Sequence, residues 1–102
     1  MTTPGLREFR RGAVCLHILH HASQGAVHGA WMAEELAEHG HRISPGTLYP
    51  TLHRMESGGL LVSRSVVAGG KRRRVYRATP FGRKMLRDTK KALKELAAEL
   101  LP

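Results

Sequence analysis

Two Gly-Gly pairs, Gly58–Gly59 and Gly69–Gly70, divide the middle of this chain and limit its fold more than any other feature. The second pair joins "LVSRSVV" (61–67) to "RRVYRA" (73–78) through "AGGK". β-Branched and aromatic residues on both sides of a glycine turn predict a β-hairpin. The first pair closes "RISPGTLYPTLHRMESGGLL" (42–61), where Leu48, Leu52 and Met55 recur at helical spacing. Helical chain therefore leads into the hairpin, and "PFGRKMLRDTKKALKELAAELLP" (80–102) predicts a long helix leaving it from Pro80.

Two further helices come earlier. Residues 6–22, "LREFRRGAVCLHILHHA", gather Val14, Cys15, Leu16, Ile18, Leu19 and Ala22 on one broad side. "QGAVHG" breaks that helix. Residues 30–40, "AWMAEELAEHG", predict a second one with Met32 and Leu36 inward, joined by Trp31 or Ala33, and with Gly40 as its C-terminal cap. Three helices, a basic hairpin and a further helix is the order of a winged helix-turn-helix. The expected fold is mainly α with a small β-hairpin: residues 1–79 as a DNA-binding region and 80–102 as an additional C-terminal dimerisation helix, in one compact domain.

The charge map agrees with that order. Of 17 Lys and Arg residues, twelve lie between Leu61 and Lys94 against one acid, Asp88, while the other 68 residues carry five bases and seven acids. Such a polycation attracts nucleic acid or an acidic membrane surface. No run approaches the roughly 18 apolar residues of a membrane span. The start "MTTPGLREFRR" lacks the charge, apolar stretch and cleavage site of a signal peptide, so a cytoplasmic protein with no membrane partner is expected. The single Cys15 sits among apolar neighbours and reads as a small core residue.

The third helix is the reading head of such a fold. Ser44 stands where it can cap the helix, and Pro45 fills the first helical position, where its missing N–H costs nothing. Pro50 removes one ladder bond and presses on the carbonyl of residue 46, typically worth about 3 kcal/mol. Residue 46 is a glycine, so the expectation is a loosened first turn rather than a broken helix. Leu48, Leu52 and Met55, with Thr51, point one way; Gly46, Pro50, His53 and Ser57 point the other, flanked by Tyr49 on one side and by Thr47 and Arg54 on the other. Arg54 can bond bidentately to guanine, and wing cations release counterions from phosphate. Tyr49 either touches DNA or lies half-buried against the second helix.

"SPGTLYPTLHRMESGGLL", followed by "GGKRRRVYRATPFGRKML", resembles the PadR family of bacterial transcriptional regulators, and "VHGAWMAEEL" resembles that family's start of helix two. The resemblance runs from about Val27 to Leu86. Ala30 and Trp31 stand where the family usually has Tyr followed by an acidic or small residue, and the single C-terminal helix is similar to that of short-tailed members. The resemblance implies a dimeric repressor on a two-fold symmetric operator in double-stranded DNA, released by a ligand or stress signal. It implies a DNA-contacting set of Ser44, Thr47, Tyr49, Pro50, His53 and Arg54 from the reading helix and Lys71, Arg72 and Arg73 from the wing. His28 resembles the family's helix-two histidine and is expected to be structural.

In the last helix Leu86, Leu93 and Leu100 repeat every seven residues, with Thr89 and Leu96 between them. This is a short coiled-coil seam, expected to join two copies as a homodimer; the alternative is a helix folded back on its own domain. On the first helix His17, His20 and His21 cluster, and the i, i+4 spacing of His17 and His21 lets two imidazoles share a metal. A third ligand could come from His20, from Glu35 or His39, or across a dimer interface. The alternative is a polar face. No cofactor is required, but zinc or cadmium is a candidate effector. A small aromatic molecule is the other, though Trp31 is the one tryptophan and the last helix offers just Phe81 to stack on it.

Catalytic readings find no support. There is no phosphate-cradling glycine loop, only one aspartate, and no recognisable Ser, His and carboxylate arrangement. The expected function is a sequence-specific DNA-binding regulator. The alternatives are a metal-binding sensor or buffer and a basic protein-interaction module, with DNA binding secondary.

Overall fold

The computed structural model describes residues 4–102. Met1 to Thr3, which begin the stretch read above for a signal peptide, lie outside the described residues. The elements run α1 (Pro4–Gln24), β1 (Val27–His28), α2 (Gly29–Glu38), α3 (Pro45–Ser57), β2 (Leu61–Ala68), β3 (Lys71–Ala78) and α4 (Pro80–Leu100). No helix of the described residues is long and apolar enough to cross a membrane.

The apolar periodicities of α1, α2 and α3 converge on one core. Ile18, Leu19 and Ala22 of α1 meet Met32 and Leu36 of α2 and Leu48, Leu52 and Met55 of α3, and the sheet closes them with Leu61, Tyr76 and Ala78. Each large side chain taken out of water there contributes roughly 1.5–3 kcal/mol. Ala33 packs against this core, whereas Trp31 stays at the surface, edge-on to His21. Tyr76 is the largest fully buried side chain because it sits on the inner face of the central strand.

That strand is central because a third one joins the hairpin. β1 pairs antiparallel with β3, Val27 opposite Tyr76 and His28 opposite Val75, giving the order β1-β3-β2. The sheet therefore has three strands where the sequence predicted a two-stranded hairpin. Gly69 and Gly70 both have positive φ, +59° and +74°, the tight turn that matches the twist of the flanking strands. Ala68 consequently pairs with Lys71, and the register runs unbroken to Leu61 and Ala78.

Glycine also ends α2 and α3 by one device. After α2, Gly40 (φ +85°) lets its own N–H reach Ala37 O (3.1 Å) and that of His41 reach Leu36 O (2.8 Å). After α3, Gly59 (φ +79°) does the same with Glu56 O (3.0 Å), and Leu60 with Met55 O (2.9 Å). Orphan carbonyls are satisfied and the chain reverses within two residues.

Pro50 does not break α3. The helix runs without interruption from Pro45 to Ser57, and at its start Ser44 O accepts from both Thr47 N (3.0 Å) and Leu48 N (2.8 Å). Ser44 is the N-cap residue by backbone, but its side chain makes no capping bond. Its hydroxyl donates to Thr47 Oγ1 (3.3 Å) instead, which corrects the expected side-chain cap.

α4 is seated at its first turn. Thr79 Oγ1 accepts from Gly82 N (2.9 Å), and the Thr79 hydroxyl donates to Gly59 O. Gly82 lies so close to the Leu60 carbonyl that a β-carbon would overlap it. This close approach carries Leu86, one turn later, into the core. Leu86 is 6% exposed, against 46% for Leu93, 47% for Leu96 and 62% for Leu100. The expected seam is thus corrected: Leu86 packs within its own domain, and the unpaired apolar stripe begins at Leu93.

Candidate nucleic-acid interface

With Leu48, Thr51, Leu52 and Met55 buried, α3 turns Gly46, Pro50, His53 and Ser57 to solvent. The narrow N-terminal half of that face has no side chain beyond a proline ring. Tyr49 takes the half-buried place against α2 that the sequence offered as one of its two alternatives. Its ring crosses Gly29 at the start of α2, where a β-carbon would stand 2.8 Å from Tyr49 Cε1, yet it remains 39% exposed. A glycine at position 29 is what lets the hydroxyl-bearing edge of the ring approach α2 this closely.

Arg54 points elsewhere. Thr51 donates to Thr47 O (2.8 Å), and Arg54 Nη2 donates to Thr51 Oγ1 (3.2 Å). This chain of bonds draws the guanidinium along the flank of α3, into a cleft shared with α1, rather than onto the face of Pro50 and His53. Thr47 lies on the same flank.

The wing carries four consecutive cations, Lys71 to Arg74, all exposed. Alternation along β3 puts Lys71 and Arg73 on one face and Arg72 and Arg74 on the other. Arg74 is not among the residues expected from sequence, and it anchors a small network. Its Nη1 donates to Ser63 Oγ (2.9 Å), and Ser63 in turn donates its hydroxyl and backbone N–H to the Glu56 carboxylate. Glu56 is on α3 and Ser63 on β2, so reading helix and wing are clamped together. Nothing in the local sequence distinguishes Glu56 from any solvated acid at a helix end; only the bend at Gly58–Gly59 brings Ser63 back to it.

A histidine cluster gathers where α1 meets α2 and the residue that caps it. His17, Glu35 and His39 each offer a ligand atom, all within 4.8 Å of one another. His39 Nε2 is 3.2 Å from Glu35 Oε1, and His21 Nε2 is 3.4 Å from that same oxygen without the alignment of a hydrogen bond. The His17 ring sits between those of His21 (4.9 Å) and His39 (4.8 Å). Of the three helix-one histidines, only His17 joins the group; His21 borders it through Glu35, and His20 stacks edge-on to His21 (4.9 Å), outside it. Burial, then the neighbouring imidazoles, hold the His17 and His21 pKa values below the ordinary histidine value. Two imidazoles and a carboxylate are a ligand set that suits zinc or cadmium.

Comparison with known proteins fits this architecture. The model of the transcriptional regulator PadR-like family matches residues 18–88. The chain is 62% identical over 96 residues, 94% of its length and 90% of the relative's, to transcriptional regulator Rv3488 of Mycobacterium tuberculosis. Among solved structures, a PadR family regulator from Eggerthella lenta superposes with a TM-score of 0.81 at 34% identity, covering 93% of this chain and 84% of the other. Bacillus subtilis PadR, solved in complex with operator DNA, shares the fold with a TM-score of 0.63 at 24% identity over 72% of this chain and 44% of its own. The chain therefore belongs to the PadR-like family of transcriptional regulators, DNA-binding proteins without enzymatic activity.

Proposed function

We propose that this regulator is a homodimeric repressor that reads a two-fold symmetric operator with α3 and the wing, and is released from it by a divalent metal. The observation that carries the DNA reading is the exposed surface of Gly46, Pro50, His53 and Tyr49 beside four exposed cations, joined through the Glu56–Ser63–Arg74 clamp. α3 enters the major groove, Tyr49 meets the backbone or a thymine methyl, and Lys71, Arg72 and Arg73 neutralise phosphates.

Dimerisation is supported by the large apolar side chains that stay exposed, Phe9 on α1 and Leu93, Leu96 and Leu100 on α4, with Leu101 just after it. A second copy covers that stripe and sets two reading heads on one face. The metal is held by His17, Glu35 and His39, which link α1 to α2.

The test is a gel shift across the gene's own upstream region, with sedimentation and calorimetry beside it. A symmetric footprint by the parent, monomers with weak operator binding from Leu93→Asp/Leu96→Asp, and zinc binding abolished in His17→Ala/His39→Ala are the expected results. Absence of any specific DNA complex ends the repressor reading. Zinc binding by the parent with no effect on the DNA complex removes the metal as effector.

A further inference from the structure

Five arginines line one cleft. Arg7, Arg10 and Arg11 of α1, Arg42 of the α2–α3 loop and Arg54 of α3 surround a cavity of about 320 Å³. Its floor is apolar, made by Val14, Cys15 and Ile43. No Asp, Glu, Phe, Tyr or Trp is among the described residues that line it. The ion pairs among the described residues involve none of these arginines.

Guanidinium groups stay charged at any physiological pH, so five around one cavity repel each other until an anion enters. Arg54 is already turned into the cleft, fixed by Thr51 (3.2 Å). A carboxylate between α1 and α3 would receive charge-assisted, bidentate hydrogen bonds. The floor rewards a different chemistry. Burial raises the Cys15 pKa, so the thiol is neutral and packs like its neighbours Val14 and Ile43. With no large aromatic side chain to stack on, the floor suits an alkyl chain rather than a planar ring. The volume lies at the lower end of small-molecule sites.

We propose that this cleft binds an aliphatic organic anion of medium chain length, its carboxylate on the arginines and its chain on Val14, Cys15 and Ile43. The walls belong to α1 and α3. On the DNA-binding reading given above, an anion in the cleft ties α1 to α3 beside Thr47 and Arg54, shifts the reading helix and weakens the operator complex.

The experiment uses the full chain with chelator present and DNA absent, titrated with octanoate and followed by calorimetry and amide chemical shifts. Saturable binding is expected, with the largest shifts at Val14, Cys15, Ile43 and Thr47. Octanamide, which keeps the body without the charge, and acetate, which keeps the charge without the body, should each bind at least about tenfold more weakly, as loss of either contact set implies. Arg11→Gln/Arg42→Gln should lose a similar factor, and Arg11→Lys/Arg42→Lys should recover part of it. Equal binding of octanoate and octanamide by the parent overturns the proposal without recourse to any variant. So do shifts confined to the α4 leucines, or unchanged octanoate binding by a folded Gln double variant. Should the parent ignore octanoate while the Gln double variant loses DNA affinity and salt dependence, the cleft is a phosphate seat and the proposal is again overturned. Because metal and DNA are absent from the titration, its failure leaves the operator reading standing.

Discussion

Glu56, in the last turn of α3, holds Ser63 of β2 by its backbone N–H (3.1 Å) and by its hydroxyl, which lies 2.9 and 2.7 Å from the two carboxylate oxygens. The bonds span the Gly58–Gly59 bend, and Arg74 of β3 adds a fourth by donating to the same hydroxyl (2.9 Å). Hydrogen bonds to a charged group are worth roughly 1.5–3 kcal/mol. Glu56→Ala should therefore lower unfolding free energy by about 1–3 kcal/mol in urea titrations. Operator affinity should fall as well, because the wing no longer keeps a fixed angle to α3. A variant with unchanged stability and unchanged operator affinity would show that the clamp does neither task.

Gly29→Ala separates reading from folding. The new methyl would meet the far edge of the Tyr49 ring at 2.8 Å, and that half-exposed ring can swing aside. Thermal stability should change by less than about 1 kcal/mol, while operator affinity drops with the displaced Tyr49. Tyr49→Phe, which keeps the ring and removes the hydroxyl, reports how much of that drop belongs to the hydroxyl. Fluorescence anisotropy with an operator duplex, beside a thermal melt, reads both quantities.

Gly82→Ala should act in the opposite sense. Its β-carbon overlaps the Leu60 carbonyl, a backbone atom that cannot move without disturbing the start of β2. Overpacking of this kind costs typically 1–3 kcal/mol. Since Leu86 depends on the same seating of α4, the loss should reach at least the upper part of that range. Calorimetric unfolding of the variant beside the parent measures it.

The wing makes an electrostatic statement. Replacing Lys71, Arg72 and Arg73 together with Ala should weaken specific and non-specific DNA binding alike and flatten the salt dependence, by close to 0.9 log unit per lost phosphate contact. Arg54→Ala, whose side chain lies in the cleft with Thr51, should leave that slope nearly intact. Affinities measured across a salt series distinguish the two.

Acid should loosen the fold through α1. The folded pKa values of His17 and His21 are lowered, first by burial, from an unfolded value near 6.5. Below that value the unfolded chain binds the protons first, so stability is full above about pH 6.5 and is lost as pH falls through the folded values. His17→Gln/His21→Gln should flatten this decline in melts taken between about pH 7.5 and 5. Zinc, if bound at His17, Glu35 and His39, should shift the decline to lower pH, because the metal competes with protons for the same nitrogens.

Much of the fold could be read from short-range chemistry. Leu48, Leu52 and Met55 marked the buried side of α3 because a helix repeats every 3.6 residues whatever surrounds it. The φ values of Gly59, Gly69 and Gly70 lie where glycine alone is at ease, so both reversals were visible as Gly-Gly pairs. The exposed side of α3 and the cationic wing followed directly. Other features had no local signal. Val27 and His28 form a strand only because β3 offers them an edge, and two residues carry no periodicity. Glu56 and Ser63 look like any surface acid and any strand serine until the bend joins them. His17 could be paired with His21 by helical spacing and Glu35 or His39 named as a third ligand, but that His17 meets those two rather than His21 or His20 depends on how α2 packs against α1. Leu86 and Leu93 occupy equivalent positions of one heptad and were indistinguishable as a pattern. Where α4 rests on Leu60 through Gly82, the first leucine is pressed into the domain and the second is carried past its edge, a difference that comes from backbone contact rather than from either residue.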